Sequence, residues 1–144
     1  MQAQVLKRIE KVTQEAFALI KDDHEASSVH THQTWTGSRI LRSTYRQVVF
    51  SECVFYSTEF QGVRFENCIF ENCDFSFVHF RNCQFVNCSF HNCNWQASSS
   101  GLSLYKDCQL DEGLKKMTLG SHNEISSSAQ DYTTDIYIEN LLAA

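Results

Sequence analysis

Residues 50–95 read FSECVFYSTEFQGVRFENCIFENCDFSFVHFRNCQFVNCSFHNCNW. An aromatic ring returns at every fifth position, at Phe50, Phe55, Phe60, Phe65, Phe70, Phe75, Phe80, Phe85 and Phe90, and then at Trp95. The chain's seven cysteines, Cys53, Cys68, Cys73, Cys83, Cys88, Cys93 and Cys108, each stand two residues before a slot of that series. Seven cysteines share one phase of five by accident with odds of roughly one in ten thousand, so the repeat is real. Thr58, Val63 and Val78 fill gaps in the cysteine series with small or apolar side chains. A period of five fits neither a 3.6-residue helix nor a long strand alternating in twos. It fits a solenoid with flat faces of five residues. On each face the aromatic and the residue two before it point inward, as strand alternation requires. The intervening residues face water, and Glu66-Asn67, Glu71-Asn72, Arg81-Asn82 and His91-Asn92 suit that position.

Working outward, the frame continues backwards through Tyr45, Ile40 and Trp35, and forwards through Ser100, Tyr105 and Leu110. Ser98-Ser99-Ser100-Gly101 reads as a weak pentad or a short bulged loop. The spacing predicts a repeat block over residues 34–110.

The pentads Cys68-Ile69-Phe70-Glu71-Asn72 and Cys73-Asp74-Phe75-Ser76-Phe77 resemble the pentapeptide-repeat family, in a variant with Cys for Ala and Phe for Leu. The resemblance implies an all-β solenoid, a right-handed quadrilateral β-helix with four pentads per coil. In such a coil Phe55, Phe75 and Trp95 would stack on one face over Trp35, and Phe50, Phe70 and Phe90 on another. Phe60 would stack with Phe80, and Phe65 with Phe85. Cys53, Cys73 and Cys93 would form one column, and Cys68, Cys88 and Cys108 a second. Burying an aromatic of this size stabilises by roughly 1.5–3 kcal/mol, so the ring columns are the expected core. A thiol, a small hydrophobe, fits beside such rings. Proline is absent from the chain, in keeping with a ladder whose every backbone donor is needed.

With 144 residues, 42% hydrophobic and 20% charged, the composition is that of one globular domain. The net charge of −5 argues against a general nucleic-acid binder, which needs a basic footprint. No apolar run is long enough to span a membrane. Lys7, Arg8, Glu10, Lys11 and Glu15 interrupt the first twenty residues, so a secretion signal is not expected and the expected address is cytoplasmic. Cysteines five apart lack the close pairing of metal-ligand motifs, so they read as core filler, with no metal and no cofactor expected.

The flanks read differently. Residues 1–25 are expected to hold an amphipathic helix over 2–22, with Val5, Ile9, Val12, Ala16 and Leu19 at helical spacing. Such a helix would cap the first coil, or dock on another protein or a second copy at that end of the solenoid. Residues 26–33 read as a polar connector, and His24, His30 and His32 as solvated loop histidines. In the flank 111–144, Asp111 to Met117 suits a short helix, Ser121 to Thr134 a loop, and Asp135 to Leu142 a short apolar tail segment.

No catalytic constellation is present: there is no phosphate loop, no nucleophile elbow and no carboxylate pair in a cleft. The expected function is a non-catalytic protein–protein interaction or scaffold module. Family resemblance supplies an alternative, since some pentapeptide-repeat proteins imitate duplex DNA and modulate gyrase and other type II topoisomerases. Against it, residues 34–110 hold six acids and six bases, a neutral rod. Val54, Tyr56 and Phe77 are expected on the outside, close together. Phe77 also breaks the Asn habit of its slot, seen at Asn67, Asn72, Asn82, Asn87 and Asn92. The candidate partner-binding residues are therefore Val54, Tyr56 and Phe77, with Val5, Ile9, Val12 and Leu19 of the N-terminal segment.

Overall fold

The computed structural model describes residues 17–128. The period of five becomes a three-residue strand followed by a two-residue corner. The first turn is β1 (Leu19–Lys21), β2 (His24–Ala26), β3 (Val29–Thr31) and β4 (Thr34–Thr36). Strands β5 to β16 continue at the same step from Arg39–Leu41 to Asn94–Gln96, followed by β17 (Ser99–Gly101) and β18 (Leu104–Lys106). Strand n pairs in parallel with strand n+4, so residues twenty apart lie side by side: Ile20 with Ile40, Phe50 with Phe70, Phe75 with Trp95. Four parallel sheets result, one per face, headed in chain order by β1, β2, β3 and β4. They are called here the first to fourth faces.

The core is four columns of stacked rings. On the third face Phe50, Phe70 and Phe90 stack at 4.9 and 4.6 Å. On the fourth, Trp35, Phe55, Phe75 and Trp95 stack at 4.7, 5.0 and 4.1 Å. Rings of adjacent columns meet edge-on, as Phe65 and Phe70 do at 5.5 Å, the arrangement that ring quadrupoles favour. The slot two before each ring takes a small side chain, and one with a donor reaches a carbonyl of the coil below. Cys53 Sγ donates to His30 O, Thr58 Oγ1 to Trp35 O, Cys68 Sγ to Tyr45 O and Cys88 Sγ to Phe65 O, at 3.3–3.4 Å. That satisfies buried groups which would otherwise be costly, and it selects Cys, Ser and Thr alongside Val.

The structure corrects the flanks. Leu19–Lys21 is strand β1, paired with Arg39–Leu41, so the helix expected over 2–22 does not extend through these residues; residues 1–16 lie outside the described part. The connector 26–33 is likewise strand and corner, and the solenoid starts at Leu19 rather than Thr34. The missed inward slots hold Ile20, Glu25 and His30. Glu25 and His30 are buried and joined at 2.7 Å between Oε2 and Nε2, so His30 is no solvated loop residue. Mutual pairing makes a polar pair tolerable where the rest of the column is apolar.

Ser98 to Gly101 is a regular pentad, not a bulge: Ser100 points inward, its hydroxyl 2.7 Å from the Tyr105 hydroxyl. At the upper end, helix α1 (Glu112–Met117) forms where a short helix is expected. Asp111 caps it, accepting from Leu114 N at 3.0 Å, and also accepts from Trp95 Nε1 at 2.8 Å and Cys93 N at 3.1 Å. Residues 121–134 are not loop throughout, because β19 (Glu124–Ser126) rejoins the second face with Ile125 beside Tyr105. The helical detour thus keeps the twenty-residue register. Asn123 locks this return, donating to Ser100 O at 2.8 Å and accepting from Ser103 N at 3.1 Å.

Candidate protein-binding surface

Every corner turns through a residue of positive φ, two after each inward ring, with φ between 48° and 64° across the repeats. That left-handed region is costly for most side chains and easy for Gly and Asn. This is the cause of the Asn habit. Gly62 and Asn82 occupy the corner after the first face, Asn67 and Asn87 that after the second, and Asn72 and Asn92 that after the third. The amides also bond along the stack, Asn87 to Asn67 at 2.5 Å and Asn92 to Asn72 at 2.8 Å.

The Asn habit is not universal, since Arg42 and Leu102 after the first face, Gln47 after the second and Glu52 after the third also hold positive φ, but the corner after the fourth face has no Asn at all. It reads Phe17, Gly37, Ser57, Phe77 and Ala97. Phe77 holds φ at 55°, a conformation that costs an ordinary L-residue about 1–2 kcal/mol. Its ring is not repaid by deep burial: it is 45% exposed and meets only the equally exposed Tyr56 edge-on at 5.7 Å. Tyr56 and Val54 are the outward residues of β8 (Val54–Tyr56), and Tyr56 lies beside Ser76 of β12 (Asp74–Ser76). The structure therefore brings Val54, Tyr56 and Phe77 together. Phe17, which the sequence pattern did not flag, extends the same edge: its ring lies over Gly37, where a Cβ would collide with it. Positions 17, 37, 57, 77 and 97 share a phase of twenty, but the run of inward aromatic and apolar residues that sets the frame goes back only to Trp35. Leu19 is exposed on the first face, two residues beyond Phe17, and Val5, Ile9 and Val12 lie outside the described residues.

The interior offers little to a ligand. A cavity of about 20 Å³ lies on the axis near the lower end, lined by Ile20, Glu25, His30, Trp35, Ile40 and Tyr45 among others; that is room for one water. His30 Nδ1, at its edge, has no hydrogen-bond partner among the described residues. Burial pushes Cys83 up to about 12, and Cys73 and Cys88, each hydrogen-bonded between two neighbouring thiols, are also raised. Among the described residues no cluster of three or more His, Cys, Asp or Glu is arranged to hold a metal. Nor is any helix there long and apolar enough to cross a membrane.

Comparison with known proteins agrees with the columns. Residues 43–117 match the pentapeptide repeat region family; the chain belongs to the pentapeptide-repeat family. No curated protein sequence matches. Among solved structures, a trypsin-treated variant of QnrB1, a plasmid-mediated fluoroquinolone resistance protein, is similar at 18% identity and a TM-score of 0.36. That alignment covers 65% of this chain and 56% of that one. Full-length QnrB1 aligns at 9% identity and a TM-score of 0.27 over 86% of this chain and 99% of its own. A pentapeptide-repeat protein, Rfr23, from the cyanobacterium Cyanothece 51142 aligns at 6% and 0.22, over 67% and 86%.

Proposed function

We propose that this chain is a non-catalytic protein–protein interaction module, a rigid solenoid that presents Val54, Tyr56 and Phe77 to another protein. The observation that carries the reading is Phe77. A phenylalanine in a left-handed corner, half-exposed and packed only on another exposed ring, costs stability without contributing to the core. Strain of this kind points to a use outside folding, and exposed aromatics are the usual anchors of interfaces. Filled ring columns leave only the small axial cavity inside the coils, and the larger hollows are open surface grooves, which supports binding over catalysis. The gyrase-modulator alternative draws on the family, but the near-equal count of acids and bases along the rod, eight against seven between Leu19 and Lys106, does not favour imitation of DNA.

The test is a matched pair of assays on the full chain and its Phe77→Asn variant. Photo-crosslinking from position 56 should yield a defined protein adduct that the variant loses while keeping its β-rich circular dichroism. A gyrase supercoiling assay should show no change at micromolar protein. Inhibition of supercoiling by both proteins alike would replace this reading with the DNA-mimic one.

A further inference from the structure

The near-balance of charge between Leu19 and Lys106, eight acids against seven cations, hides a segregation. Between Leu19 and Lys106 the chain has seven cations: Lys21, Arg39, Arg42, Arg46, Arg64, Arg81 and Lys106. All lie on the first and second faces or the corner between them. Four are tied there to acids of the same faces, Arg39 to Glu59, Arg42 to Asp22, and Arg46 and Arg64 to Glu66, at 2.7–3.5 Å. The strands of the third and fourth faces and the corner between them carry no Lys or Arg. They carry Glu52, Glu71 and Asp74. The same side holds several outward apolar residues, although Leu19 and Leu102 are exposed on the other side. Val29, Val49 and Ile69 are in register on the third face, and Val54 and Tyr56 lie on the fourth, next to the Phe77 corner.

We infer that this side docks a polypeptide segment that carries Lys or Arg around an apolar anchor, the anchor seated on Tyr56 and Phe77 and the cations directed to Glu52, Glu71 and Asp74. The inference rests on the interaction-module reading and adds the partner's chemistry. Charge complementarity selects it, because a Lys or Arg meets acids and ring faces there and no Lys or Arg, with His32 bonded to Glu52 at 2.8 Å and His91 beside Glu71, whereas a nucleic-acid backbone or an acidic segment meets the three carboxylates. The strands of the middle coils are hydrogen-bonded on both sides, so a partner cannot add a strand there and must read side chains. A second copy offers four of its seven solenoid cations already paired to its own acids, which makes it the poorer occupant.

The experiment is a heteronuclear NMR titration of the full chain with three synthetic sixteen-residue peptides: one of Lys and Leu, one of Glu and Leu, and one of Lys and Ser. The expected result is that the Lys/Leu peptide shifts the amides of residues 54–56 and 71–77, and that the other two do not. Affinity should fall at least tenfold in Phe77→Asn and in the double variant Glu71→Gln/Asp74→Asn, and raised salt should weaken the wild-type complex. Asparagine is at home in a left-handed corner, so Phe77→Asn stays folded. Glu/Leu binding at the same amides would overturn the charge assignment while sparing the interaction reading. Silence of this surface to every peptide would overturn both. Shifts confined to the first two faces, or the same amides shifting on self-dilution, would overturn the inference in favour of another surface or a second copy.

Discussion

Truncating Phe70 to alanine is the most demanding test of the stacked core. Its ring is 1% exposed, sandwiched at 4.9 Å from Phe50 and 4.6 Å from Phe90, with edge contacts to Phe65 at 5.5 Å and Phe75 at 6.0 Å. Removing a fully buried phenylalanine costs about 3–5 kcal/mol, because the transfer energy is lost and the cavity collapses only in part. Collapse is hard here. The neighbouring rings hang on parallel strands whose spacing is fixed by backbone bonds such as Ser89 N to Cys68 O at 3.0 Å and Ile69 N to Val48 O at 3.1 Å, so the upper end of that range is expected. Set against a domain stability of about 5–15 kcal/mol, the change should be visible as a large drop in the urea midpoint followed by far-ultraviolet circular dichroism. A loss below about 1 kcal/mol would refute the two-inside, three-outside register. So would a profile in which Phe77→Ala costs as much as Phe70→Ala.

Three further outcomes are expected. Cys83 is raised to about 12 by burial, so the unfolded thiol ionises first as pH rises past 9 and stability is lost between about 9 and 12; Cys83→Ser should make that decline shallower by up to about 1.4 kcal/mol per pH unit in denaturation measured across the range. The serine itself should be accepted, since Ser43 and Ser103 occupy the same inward column. Asp111→Ala removes a helix cap and the acceptor of the Trp95 indole and should lower the thermal midpoint by the equivalent of about 1–2 kcal/mol. Replacing the buried pair by the residues stacked above it, Glu25→Tyr with His30→Phe, should be neutral or stabilising in chemical denaturation, whereas His30→Phe alone takes the 2.7 Å partner from a buried carboxylate and should destabilise.

How much of this was legible follows from what each slot demands. Rings at a strict step of five can serve only a repeated face, so the columns from Trp35 to Tyr105, and both thiol columns, were readable before any coordinates. The lower turn was not readable, because Glu25 and His30 break the apolar pattern and become acceptable only through each other, a relation that no periodicity reports. Ser100 is hard to read for the same reason: Tyr105 on the neighbouring face and Asn123 from the next turn satisfy its hydroxyl. The upper end was half legible. Asp111 before Glu112 announces a helix start, but the return of Ile125 to the second face needs the register across the detour. At the candidate surface, the departure of Phe77 from the Asn habit could be seen in the letters, while its meaning could not. Only the backbone shows that the slot is left-handed, and hence that a phenylalanine there is held against its own preference.

That last point is also the most direct test of the account. Phe77→Asn should relieve the left-handed strain while losing the exposed contact with Tyr56, two effects of about 1 kcal/mol each and opposite sign. The account predicts that the unfolding free energy of the variant, measured by urea denaturation, stays within about 1 kcal/mol of the parent or rises. A loss of about 2 kcal/mol or more would show that Phe77 serves the fold, and would contradict the claim that it is kept for a partner.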